Sequence, residues 1–148
     1  MGRVARFLAV PVGDKARLLT AATLLLVVRV GIFVVSLSRC RRLLLTVAAI
    51  ASRIVPGSPT PPRVARAVDV ADTYLPGQRT CLMRSLTSET LHRLYGHEID
   101  HRIGVDKTDD GTFEAHSWIE YDGEILIGDL EDLSRFEPLP SLNEADWL

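Results

Sequence analysis

The stretch Phe113-Glu114-Ala115-His116-Ser117-Trp118-Ile119-Glu120-Tyr121-Asp122-Gly123-Glu124-Ile125-Leu126-Ile127-Gly128-Asp129 decides how this chain is read. Asp122-Gly123 is the dipeptide of a two-residue type I′ turn, in which both central residues take positive φ. With those two as the loop, Tyr121 pairs with Glu124, and counting back along the ladder sets His116 opposite Asp129. Directly opposed residues share a face, with Cβ atoms about 4.5–5.5 Å apart. A carboxylate at that range can accept a hydrogen bond from an imidazole N–H and fix its tautomer.

Upstream of the hairpin, Ile99, His101, Ile103 and Val105 alternate as in a half-buried strand, and Asp109-Asp110-Gly111 makes the turn between them. Before that strand, Cys81–Tyr95 reads as a helix with Leu82, Leu86, Leu91 and Leu94 as its apolar stripe. Thr80 suits its N-cap and Gly96 its left-handed stop. A thiol at a helix start meets unpaired N–H groups that favour the thiolate, the nucleophilic form. Cys81, His116 and Asp129 thus form a candidate nucleophile, base and orienting acid, with Asp132 in reserve as the acid. His92 and Arg93 are expected on the solvated side of the helix. His97 and His101 lack metal-ligand spacing with any cysteine or acid cluster.

The length of 148 residues fits one domain, and an apolar share of 47% with 24% charged residues argues against disorder. Two cysteines, Cys40 and Cys81, make no disulfide framework, so a reducing, cytoplasmic compartment is expected. Cys40, inside an Arg-rich helix, reads as packing. The net charge of −2 hides a split: residues 1–63 hold ten Lys/Arg and one acid, for +9, while residues 64–148 hold seven and eighteen, for −11. The charge switch coincides with Pro56-Gly57-Ser58-Pro59-Thr60-Pro61-Pro62, which no helix can cross. The expected division is therefore a basic, apolar helical region over 1–62 and a core over 63–148 that begins with a helix from Arg63 to Tyr74. In the first region, residues 14–37 read as a helix opened by Asp14, with a second from Ser38 to about Val55. Their charge-free apolar runs reach spanning length only with Arg29 near the middle, which is costly in lipid. Soluble packing on the core is the expectation, with peripheral membrane association as the alternative.

Two blocks carry a family resemblance. Thr80-Cys81-Leu82-Met83-Arg84-Ser85-Leu86, preceded by Leu75-Pro76-Gly77-Gln78-Arg79, and Ala115-His116-Ser117-Trp118-Ile119-Glu120-Tyr121-Asp122-Gly123 resemble the lasso-peptide leader peptidases. Met83 stands where a proline is common in that family. The resemblance covers about residues 63–139. It implies an α+β, papain/transglutaminase-like cysteine-protease core, with the Cys-bearing helix packed on a small antiparallel sheet. The family's nucleophile, histidine and acid fall on Cys81, His116 and Asp129. The implied activity is removal of the leader from a ribosomally made lasso precursor through a thioester. The implied partners are that precursor, a separate leader-recognition protein and an ATP-dependent lasso cyclase; no cofactor, metal or nucleic acid is expected. Alternatives are an acyltransferase of transglutaminase type on the same fold, or a non-catalytic membrane-peripheral scaffold. The Arg39/Arg41/Arg42 cluster and the apolar helix faces beside it are the expected contact for the recognition protein.

Overall fold

The computed structural model describes residues 2–77 and 80–143, so Gln78 and Arg79 of the first block lie outside the described residues. Five helices precede a small sheet: α1 (Arg3–Leu8), α2 (Val12–Val34), α3 (Leu37–Ala51), α4 (Pro61–Tyr74) and α5 (Cys81–Leu94). The strands are β1 (Asp100–Lys107), β2 (Phe113–Tyr121), β3 (Glu124–Ile127) and β4 (Glu137–Pro138), the last preceded by a 3-10 turn at Leu133–Arg135. All pairings are antiparallel, in the order β3-β2-β1-β4. The fold is thus the expected α+β arrangement of helices on a small antiparallel sheet. The short α1 and β4 were not legible as elements.

Local chemistry explains the boundaries. Helix α2 begins at Val12 with Pro11 as N-cap, ahead of the expected Asp14. Asp14 instead sits in the first turn, where its carboxylate faces the helix dipole and pairs with Arg17 and Arg63. Helix α3 closes at Ala51, short of Val55. Pro61 and Pro62 do not merely end the linker; they open α4, since the first helical positions need no N–H. At α5 the Thr80 hydroxyl accepts from Met83 N at 3.1 Å, and Gly96 follows the helix with φ 77°.

The hairpin turns at Asp122 (φ 50°) and Gly123 (φ 79°), and Tyr121 pairs with Glu124 as expected. The count beyond it is corrected. Glu120 pairs with Ile125 but Ile119 with Ile127, so Leu126 is an extra residue in β3. Leu126 and Ile127 both pack against the core, which a strictly alternating strand could not arrange. His116 is therefore not set opposite Asp129 by the ladder.

Helix α2 contributes Ala21 and Leu25 to the same apolar cluster as Val64 and Val68 of α4, Leu91 of α5, and Ile119 and Ile127 of the sheet. A second cluster joins Val28, Cys40, Met83 and Leu86, and there Gly31 lets α3 come close: a Cβ on it would meet Cys40 Sγ at 2.7 Å. Helix α5 is consequently surrounded. His92 corrects the expectation of a solvated face, because it is fully buried, its Nδ1 2.7 Å from Ser88 O and its Nε2 3.0 Å from Pro61 O. Burial holds His92 below the ordinary imidazole range. By length and composition α2 is apolar enough to cross a membrane, but it also supplies this core.

Inside the junction of α5 and the sheet lies a buried carboxylate. Glu89 accepts from Arg41 Nη2 at 2.5 Å and Nε at 3.1 Å, and from His101 Nδ1 at 2.8 Å. His101 Nε2 then meets Ser117 Oγ at 2.7 Å. Burial works to raise the Glu89 pKa, but the His101 and Arg41 hydrogen bonds outweigh it and hold the carboxyl below its ordinary range. A carboxylate depressed in the folded state stabilises it above the unfolded value and loses that contribution as pH falls. We therefore expect the urea midpoint to drop as pH falls below 4.5, the ordinary glutamate value, and the drop to be smaller in Glu89→Gln. Glu89→Ala, which strands Arg41 and His101, should cost about 3–5 kcal/mol at neutral pH by urea unfolding.

Candidate active site

Cys81 is the first residue of α5, half-buried, with a free thiol. The N–H groups of a helix's first turn have no intrahelical acceptor and point out of its start. Thr80 satisfies one of them, at Met83, which fixes the cap. The N–H groups of Cys81 and Leu82 have no acceptor among the described residues, so they face whatever oxyanion arrives there. Helix α5 packs on β2, the strand that carries His116.

His116 is half-buried, and its Nε2 lies 2.6 Å from Gly128 O. A carbonyl can only accept, so Nε2 carries the proton and Nδ1 holds the lone pair; in this arrangement Nδ1 is the basic atom. Two aromatic rings flank the imidazole. Trp118 stacks nearly parallel at 6.1 Å between centroids, and Phe136 lies 5.5 Å away. Gly104, across the ladder from His116, leaves room for that aromatic flank: a Cβ there would stand 2.9 Å from both the Trp118 ring and Phe136 Cβ.

Alternation along β2 turns Ser117 and Ile119 towards α5 and the core, and His116 and Trp118 to the other side. Among the described residues no hydrogen bond joins Cys81 to His116 or His116 to Asp129. The structure brings the two bearing elements together, while the ring is held by the Gly128 carbonyl. Asp129 follows that glycine in the chain and is exposed. The reserve acid Asp132 is engaged elsewhere, 2.8 Å from Arg135 Nε. Arg135 also pairs with Asp106 and Glu114, the latter the leading cause of its raised pKa, and stacks over Phe136 at 4.3 Å.

Sequence reasoning missed the Gly128 carbonyl, since a backbone acceptor has no side-chain signature. It also missed the acid–histidine–hydroxyl chain Glu89–His101–Ser117, although His101 alternates with the apolar residues of β1. That chain has the order of a hydrolase triad but is sealed, with His101 at 0% and Ser117 at 3% exposure, so no substrate carbonyl reaches it. No group of three or more potential metal ligands occurs among the described residues.

A family model described as "Transglutaminase-like superfamily" matches residues 24–141. No curated protein and no solved structure matches the chain.

The two thiols should differ in reactivity. Burial raises the Cys40 pKa, in a cluster with Val28 and Met83, whereas Cys81 is partly open to solvent. Brief iodoacetamide treatment of the folded protein at neutral pH should label Cys81 well before Cys40, as read by peptide mass spectrometry. Equal labelling of the two would remove Cys81 from consideration as the exposed nucleophile.

Proposed function

The chain belongs to the transglutaminase-like superfamily, and from that premise we propose that it is a cysteine peptidase that removes the leader from a lasso-peptide precursor. Membership in the superfamily suggests cysteine peptidase or acyl-transfer chemistry. The observation that carries the reading is Cys81 opening a capped helix that packs on the His116 strand. Support for the substrate comes from the two sequence blocks around these residues, which resemble those of lasso-peptide leader peptidases.

The proposed reaction requires the His116 ring, turned to the side of β2 away from α5 in this structure, to come round to the start of the helix. His116 Nδ1 then takes the Cys81 proton and the thiolate attacks the scissile carbonyl. The resulting oxyanion meets free N–H groups at the start of α5. Collapse breaks the C–N bond, the leaving amine takes the proton from His116, and a thioester remains on Sγ. Water, deprotonated by the same ring, releases the leader as a carboxylate. Asp129 is assigned the orienting and charge-stabilising role, supported by its place directly after Gly128. The Gly128 carbonyl orients the neutral ring but carries no full charge to balance imidazolium; a carboxylate would. A separate leader-binding protein would raise the rate by making the encounter effectively intramolecular, and an ATP-dependent cyclase would take the freed core.

The test is a mass-spectrometric assay on a lasso-type precursor, with and without its leader-binding protein. Cys81→Ala and His116→Ala should abolish cleavage, and Cys40→Ala should retain it. Asp129→Asn should slow turnover by orders of magnitude, ~10⁴ being the loss for the equivalent change in a serine protease, while Asp132→Asn should change little. A full-rate Asp129→Asn enzyme would leave the Gly128 carbonyl as the sole orienting group. Amine-linked adducts in place of free acid would reassign the chain to acyl transfer.

A further inference from the structure

We infer that helices α2 and α3 form a docking face for an anionic lipid bilayer, on which the protein lies without spanning it. Among the described residues, fourteen of the seventeen exposed large apolar side chains fall within residues 4–54, the segment that also carries the positive charge. On α2 the outward side presents Val30, Phe33 and Val34, with Phe33 78% exposed. On α3, Leu43, Val47 and Ile50 form a neighbouring stripe, and an apolar groove of about 340 Å³ lies between α2 and α3 with Thr90 and Leu94 of α5 at its floor. Exposed apolar surface on this scale marks an interaction site.

Charge identifies the occupant. Between Lys15 and Val68 the sequence has no Asp or Glu. Arg41 is turned inward to Glu89, which corrects the expectation that it stands with Arg39 and Arg42 as a surface cluster. The exposed Arg39, Arg42 and Arg53 have no ion-pair partner among the described residues, and they rim the apolar stripe of α3. An apolar face bordered by arginines that have no ion-pair partner among the described residues, on a segment without acids, is the pattern of a surface-lying membrane helix. Spanning is disfavoured, because Ala21 and Leu25 on the opposite side of α2 are core residues packed with Val64, Leu91 and Ile119. The inference is independent of the proposed catalytic residues.

The test is flotation of the full chain with phosphatidylcholine vesicles, alone or mixed with phosphatidylglycerol. The expected result is co-flotation at least ten times stronger on the mixed vesicles. Raising salt from about 0.1 M to about 1 M, which shortens the Debye length from ~10 to ~3 Å, should weaken it. Each of Arg42→Gln and Arg53→Gln should lower partitioning about fivefold, the equivalent of ~1 kcal/mol per charge. Val30→Asp with Phe33→Asp should abolish it while circular dichroism and the urea midpoint stay unchanged. Equal binding to both vesicle types, unaltered binding by these variants, or a stable homodimer that shows no vesicle binding would each overturn the inference.

Discussion

The Glu89 carboxylate is the constraint from which the rest of the architecture follows. It lies almost wholly buried on the one helix that carries the candidate nucleophile, so it must be matched by donors or abandoned as a charge. Its donors come from two other elements, Arg41 of α3 and His101 of β1, and His101 passes the network on to Ser117 of β2. Apolar contacts would tolerate a helix sliding or rolling by a fraction of a turn. A bidentate guanidinium and an imidazole at 2.8 Å would not. The angle at which the Cys81 end of α5 reaches the sheet is therefore fixed through a carboxylate eight residues further along the same helix.

The same network explains what the sequence could and could not disclose. The turn at Asp122-Gly123, the Thr80 cap and the Gly96 stop were legible because each is a local backbone demand met by a restricted set of residues. The leucine stripe of α5 was legible too, but it described only one of the helix's buried sides. Ser85, Thr87, Ser88, Thr90 and His92 are buried as well. Thr87 and Thr90 satisfy themselves on carbonyls one turn back, at 2.7 and 2.8 Å. Small hydroxyl residues read as polar in a periodicity pattern, although in a surrounded helix they are compact core residues, with partners one turn back for Thr87 and Thr90 and none among the described residues for the Ser85 hydroxyl.

The candidate site divides along the same line. Cys81 and His116 were legible from their positions at a helix start and on a strand. The partner of His116 was not, because the count across the hairpin assumes a regular ladder. One extra residue, Leu126, changes that count, and nothing in Ile125-Leu126-Ile127 announces it; the reason lies in the core that both Leu126 and Ile127 reach. The aromatic flank depended likewise on tertiary closeness, with Phe136 brought to His116 by the last strand of the sheet.

The sharing of one core between α2 and the sheet also bears on synthesis. Leu25 is covered in the finished protein by residues as distant as Ile119, which leaves the ribosome 94 residues later. At translation speeds of about 5–20 residues per second, that is an interval on the order of 5–20 s. Through that time the inward side of α2 has α4 to cover part of it but not yet α5 or the sheet. The apolar inward side of the first half is therefore closed in stages, by α4, then α5, then the hairpin, as each emerges.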